Sequence, residues 1–200
     1  MTQIQNTQLT LAQLLWPAHT HSWVRSVVLM AVGSLLLAAS AKIYVPLLPV
    51  PVTMQTMMVV LVGMAYGTTL GAATVLLYLA EGVAGLPVFA EGKNGFAALL
   101  GPTGGYLVGF VFAAAVCGWL AERGWGRNFI FAALAMLIGN VVLYIFGLLW
   151  LGTVVGWDKP VLALGLIPFI PGDILKLLMA AVALPAAVNL VQRSRARRKR

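Results

Sequence analysis

Charge is what this sequence has least of. Asp, Glu, Lys and Arg make up 9% of its 200 residues, and 61% are hydrophobic. A soluble globular domain carries about 25% charged residues. That scarcity, with a mean hydropathy of +0.95, excludes a soluble domain and reads as an integral membrane protein. Cysteine is limited to Cys117 in the apolar setting "AAAVCGWL", which excludes an intrachain disulfide, a CxxC pair and a cysteine metal cluster. The only histidines, His19 and His21, precede the first hydrophobic run and read as solvated residues rather than metal ligands. There is no HExxH and no nucleophile–base pair, so no enzyme is expected, and neither metal nor cofactor. "GPTGGY" (101–106) lacks the Lys-Ser/Thr ending of a Walker loop and follows no strand. Energy for any active transport must therefore come from a partner or an ion gradient.

Basic residues are plentiful only at one end. The net charge is +8, but six of the thirteen basic residues lie in "RSRARRKR" (193–200). The remaining seven nearly balance the five acids. A basic run abutting a membrane helix belongs at an anionic lipid surface, and no nucleic acid partner is expected. The N-terminal stretch 1–23 is polar and has no basic n-region, so it does not read as a cleaved signal peptide.

A membrane helix needs about 17–25 apolar residues. The pattern predicts an all-α bundle of six transmembrane helices over residues 24–192, with irregular loops on the outer face and a basic tail at 193–200. The helices fall at about 24–44, 53–65, 70–79, 106–120, 129–151 and 174–191. "VPLLPVPV" (45–52), with three prolines, must be extended, because proline lacks the donor and clashes with the preceding helical turn. From Ile43 to Ala80 there is no charged residue, too long a run for one span, and "YGTTLG" (66–71) supplies the break. Residues 81–105, with seven glycines and two prolines, read as non-helical. Glu81 reads as an interface residue at a helix end, Asn140 as a helix–helix hydrogen-bonding group, and Pro185 as a kink in the last helix.

Six spans put both termini on one side. Arg25, Arg123, Arg127 and the six tail residues mark one set of ends, and Lys42, Lys93 and Lys159 the other. Nine against three predicts a cell (inner) membrane protein with both termini cytoplasmic. The proline-rich segment and the glycine-rich loop then converge on the outer face. Small residues at Gly33, Ser34, Ala38 and Ala41 permit close helix approach, either to a partner or within the chain.

The most informative stretch is "PFIPGDILKLL" (168–178). Asp173 suits a helix N-cap at the positive end of the dipole. Lys176 is disfavoured there unless it snorkels to the interface or pairs with Asp173 on the same helix face. Ionisable groups at membrane depth usually mark a substrate or ion path. Together the two offer an acceptor and a donor to a small polar solute bearing N–H groups and an oxygen. Gln55, Lys93, Asn94, Thr103 and Tyr106 are further candidates, each with local backbone bonding or solvation as the plainer reading.

"AASAKIYVPLLPVPVTMQT" (38–56), "GLPVFA" (85–90), "GPTGGYLVGF" (101–110) and "PFIPGDILK" (168–176) together resemble the BioY family, the biotin-binding S-components of energy-coupling factor transporters. The resemblance runs from the first predicted helix through the sixth. It implies a vitamin-capture subunit that binds biotin near the outer face, under the loops joining helices 1–2 and 3–4. It also implies a transmembrane coupling subunit and two cytoplasmic ATPase subunits as partners. The family's Asp and Lys of "PGDxxK" fall on Asp173 and Lys176, and its loop asparagine on Asn94. Some members carry an arginine directly after "GGY"; this chain has Leu107 there, so the resemblance assigns no partner to the biotin carboxylate, for which Lys93 is a candidate substitute. The implied ligand-binding set is Asp173, Lys176 and Asn94, joined by Gln55, Tyr106 and Lys93. The rival readings are an S-component for another vitamin, a self-sufficient secondary carrier, and a purely structural membrane subunit.

Overall fold

The computed structural model describes residues 10–15 and 22–198; the two histidines and the last two tail residues lie outside them. Nine α-helices and one two-stranded ladder are present among the described residues. The helices are α1 (Leu11–Leu15), α2 (Ser22–Ala41), α3 (Gln55–Tyr66), α4 (Thr68–Val83), α5 (Phe96–Leu100), α6 (Gly104–Glu122), α7 (Phe129–Val155), α8 (Val161–Gly165) and α9 (Ile170–Arg198). The strands are β1 (Tyr44–Val45) and β2 (Val52–Thr53), antiparallel with Tyr44 opposite Thr53. The chain is an all-α membrane protein in class. The regions carrying α2, α6, α7 and α9 are long and apolar enough to cross a bilayer, whereas α3 and α4 are shorter.

Several boundaries differ from the sequence reading, each for a local reason. Helix α2 stops at Ala41 rather than near residue 44. The Lys42 and Ile43 amides close turns on the Ala39 and Ser40 carbonyls, and Pro46 biases the residue before it toward extended backbone. "VPLLPVPV" is extended as expected and folds back on itself as the β1–β2 hairpin. The break falls at Gly67, whose φ of +88° suits glycine. The next helix starts there, at Thr68, because Glu122 caps it: its carboxylate accepts from the Thr68 amide and hydroxyl, both at 2.8 Å. An acid is favoured at that end of the dipole. Helix α4 then runs to Val83, with Glu81 in its last turn as expected, where its carboxylate accepts a hydrogen bond from Ser34 of α2. The region 81–105 is less irregular than its glycines suggest, holding the end of α4, a 3-10 turn at Ala90–Gly92 and α5.

The last helix begins four residues earlier than expected, at Ile170, directly after a 3-10 turn at Ile167–Phe169. Pro171 is tolerated in that first turn because its missing N–H has no intrahelical acceptor. Helix α9 continues through Pro185 and into the basic tail as far as Arg198. Arg, Ala and Gln are strong helix formers, and cations suit a helix C-terminus. The N-terminal segment is not uniformly polar either: Ala12 and Leu14 of α1 are buried, and α1 packs on α3 and α9.

Helix α6 is the centre of the bundle, packed on α3, α4 and α7. Glycine makes these approaches close. A Cβ at Gly63 would lie 2.4 Å from the Ala114 carbonyl oxygen, and one at Gly105 would lie 2.2 Å from Trp150 Cβ. The small face of α2 is spent inside the chain: Gly33 lies against Thr74 and Tyr66, and Ala41 is buried. Asn140 does not act as expected through its carboxamide oxygen, which is buried without a hydrogen-bond partner.

Candidate functional site

The hairpin, the 84–103 loop and the segment before α9 meet at one end of the bundle and enclose two adjoining cavities. The inner, about 50 Å³, is walled mainly by apolar side chains, among them Val50, Pro51, Phe89, Leu107, Phe110 and Phe169. The outer, about 430 Å³, is bounded by Pro49, Asn94, Gly101 and Pro102 among others. Lys93, Ala98 and Thr103 line both, so the two adjoin.

Asp173 and Lys176 are both buried, at 7% and 5% exposure. They form an ion pair of 2.9 Å within one turn of α9. That burial rules out a lysine snorkelling to the interface. Asp173 is also not a simple helix cap. It sits inside the first turn, and its carboxylate accepts from side chains of two other helices as well as from Lys176. Thr56 of α3 donates to Oδ1 at 3.2 Å, and the Tyr144 hydroxyl of α7 donates to Oδ2. The Lys176 ammonium donates in turn to Thr56 Oγ1 at 3.2 Å. A buried ion pair is tolerable when extra hydrogen bonds satisfy its remaining lone pairs and protons, and these four residues form such a network.

The pair does not itself line the cavity. Thr56 and Tyr144, both hydrogen-bonded to the carboxylate, do. Sequence reading missed both. Thr56 adjoins the polar Gln55, and Tyr144 is a hydroxyl in the most apolar helix, but neither signal identifies a partner across the fold.

The remaining expected residues divide between the two cavities. Gln55 is buried on the inner wall, where its amide donates to Tyr78 Oη at 2.7 Å. Tyr78 then donates to the Val88 carbonyl at 3.0 Å, which ties the 84–95 loop to the bundle. Lys42 adds to this tie, donating to the Pro87 carbonyl at 2.5 Å and to that of Phe89 at 3.4 Å. Tyr106 also faces the inner cavity, with its hydroxyl donating to the Gly165 carbonyl at 2.8 Å. Its ring meets Tyr144 edge-on at 6.1 Å and lies along Phe169 at 6.3 Å. Lys93 is exposed and ion-paired with Glu91 at 2.5 Å. Asn94 is exposed and borders only the outer cavity, so the fold does not bring it to Asp173. It sits between an extended Lys93 and Gly95 at φ +74°, which carries the loop outward. No three His, Cys, Asp or Glu side chains converge as a metal site among the described residues.

The arrangement suits capture of a small solute with an apolar body and one polar end, as ligand sites usually do. Comparison with known proteins agrees with that chemistry. The sequence model of the BioY family matches residues 6–193. The chain is 39% identical over 158 residues to the probable biotin transporter BioY of Pyrococcus horikoshii, covering 79% of this chain and 93% of that one. It is 35% identical over 159 residues to the biotin transporter BioY of Thermotoga maritima, covering 80% and 93% respectively. The crystal structure of the S-component for biotin from an ECF-type ABC transporter is similar in fold, with a TM-score of 0.74 at 25% identity, covering 85% of this chain and 94% of that chain.

Proposed function

The chain belongs to the BioY family, and from that premise we propose that it is the biotin-capture subunit of an energy-coupling factor transporter. It is a transport protein, not an enzyme. The observation that carries the reading is the buried Asp173–Lys176 network under the floor of an apolar cavity. Biotin has the matching shape: an apolar thioether ring, a ureido group with two N–H donors and a carbonyl, and a carboxylate on a flexible tail. In this reading the ureido end lies at the Thr56 and Tyr144 side. Gln55 and Tyr106 shape the wall. The tail extends to the outer cavity, where Lys93 is the cation for the carboxylate and Asn94 an added donor.

In this reading the chain has six spans. Helices α3 and α4, of 12 and 16 residues, are the two short crossings of this reading; they pack antiparallel, with Gln55 at the start of one meeting Tyr78 near the end of the other. Twelve residues of helix cover about 18 Å, short of the roughly 30 Å apolar core. Short spans are tolerated where the adjoining backbone is buried or lines a cavity, and Val50 and Pro51, ahead of α3, are buried and line the inner cavity. The basic residues, nine against three, put both termini in the cytoplasm and the cavity mouth outside. A reporter that works only in the cytosol is expected to be active when fused after Arg200. Activity of a periplasm-only reporter there would invert the site. The family context supports a coupling subunit and ATPases as the source of energy.

Detergent-purified protein is expected to bind one biotin per chain by calorimetry or native mass spectrometry. Desthiobiotin, which keeps the ureido ring, should compete; valerate should not. Failure of biotin to bind the folded protein would overturn the reading, and equal competition by valerate would overturn the ureido assignment.

A further inference from the structure

The loop between α4 and α5 walls both cavities. Phe89 and Ala90 line the inner one, Gly92 and Asn94 the outer, and Lys93 both. Its backbone hydrogen bonds are local. The Leu86 amide donates to the Glu81 carbonyl at 3.1 Å and the Gly95 amide to that of Gly82 at 2.7 Å, both in α4. The Phe89 amide donates to the Lys93 carbonyl at 3.2 Å within the loop. Tyr78, which holds the Val88 carbonyl at 3.0 Å, is also an α4 residue. Among the described residues, the hydrogen bonds that reach the loop from elsewhere in the bundle come from Lys42, to the Pro87 carbonyl at 2.5 Å and the Phe89 carbonyl at 3.4 Å. Lys42 directly follows α2, where a cation suits the helix C-terminus. It also stands at the foot of the β1–β2 hairpin: the carbonyl of the next residue, Ile43, accepts from the Met54 amide at 3.0 Å. Val50 and Pro51 of that hairpin line the inner cavity. One side chain therefore joins the two segments that cover the site.

We propose that Lys42 is a positioning residue for ligand retention: it pins the 84–95 loop to the base of the hairpin and so sets how long bound biotin stays. The proposal rests on the biotin reading above and deepens it. Lys42 lines neither cavity, so it acts through the Pro87 and Phe89 carbonyls rather than on the ligand. Releasing those carbonyls loosens the segment that carries Phe89, Ala90 and Lys93, three wall residues of the inner cavity. Phe89 alone still anchors that segment on the α4 side, with its ring buried and edge-on to Tyr78 at 5.5 Å. Parting of the wall is a step of dissociation, so loss of the tie shows in the off-rate, where most affinity differences between related complexes lie.

The test follows biotin association and dissociation in wild type, Lys42→Met, Lys42→Arg and Lys159→Met, with amide hydrogen exchange measured in the absence of biotin. Lys42→Met is expected to speed dissociation about three- to tenfold, the size of one solvent-exposed hydrogen bond, with little change in association. Exchange is expected to quicken at Phe89 and Lys93 and to stay as in wild type in α6. Lys42→Arg keeps the charge and the donors and is expected to restore both readouts. Lys159→Met removes another lysine of the outer face and is expected to dissociate like wild type. An unchanged dissociation rate in Lys42→Met overturns the proposal. So does an effect confined to association, shared by Lys159→Met and lost at high salt, which is charge steering alone. Faster exchange throughout the bundle in Lys42→Met marks a purely structural role and overturns it too. No biotin binding by the wild type overturns the biotin reading and this proposal with it, whereas normal wild-type binding with wild-type dissociation in Lys42→Met overturns only the role of Lys42.

Discussion

Replacing Asp173 by leucine is expected to cost the folded protein about 3–5 kcal/mol and to abolish biotin binding. The cost comes from what is left behind. Lys176 is 5% exposed, and Asp173 is its only ion-pair partner among the described residues. Without the acid, a buried ammonium keeps one hydroxyl acceptor, Thr56, and no opposing charge. Lys176→Leu is expected to cost less, because the carboxylate still accepts from Thr56 and Tyr144. The double variant Asp173→Leu/Lys176→Leu is expected to recover most of the stability, since a buried pair replaced whole by apolar side chains is often neutral. It should not recover biotin binding. Thermal unfolding in detergent and biotin titration of the three variants check this. If the double variant is as unstable as Asp173→Leu alone, the pair is not the unit described here. If the double variant binds biotin like wild type, the network is structural only.

Gly105→Ala is expected to lower both stability and biotin affinity, whereas Gly101→Ala is expected to behave like wild type. A Cβ at Gly105 would lie 2.2 Å from Trp150 Cβ and 2.5 Å from the Phe146 carbonyl oxygen. Neither atom is the end of a flexible side chain, so α6 and α7 must separate. Overpacking of this kind costs about 1–3 kcal/mol, occasionally more. The next residue of α6 is Tyr106, whose ring meets Tyr144 of α7 edge-on, so separating the helices moves both cavity walls. At Gly101 the nearest atom to an added Cβ is the Ala98 carbonyl oxygen at 3.6 Å, an ordinary contact. Melting temperature and biotin affinity measured side by side decide it. A Gly105→Ala protein that melts and binds like wild type would show that α6 and α7 are not held at this distance. The two glycines stand four residues apart in "GPTGGY", and only their neighbours distinguish them.

What the sequence determined alone was whatever depends on the solvent and on near neighbours in the chain. Long uncharged runs settle the membrane class, because transferring apolar residues into lipid needs no knowledge of the fold. The proline run had to be extended, and a glycine had to break the 43–80 segment, because those constraints act on backbone torsions residue by residue. The three-residue spacing placed Asp173 and Lys176 on one helix face, and their ion pair follows. Tertiary structure decided the rest. The carboxylate's other partners lie 117 residues away at Thr56 and 29 away at Tyr144, and no local rule selects them from the other hydroxyls in the chain. The same holds for Asn94, which a loop turning at Gly95 carries to the outer cavity, and for α4, whose start is set by Glu122 from α6. Hydrogen bonds act over about 3 Å. Which groups come within that distance depends on how the helices pack, and the sequence between them does not encode that locally.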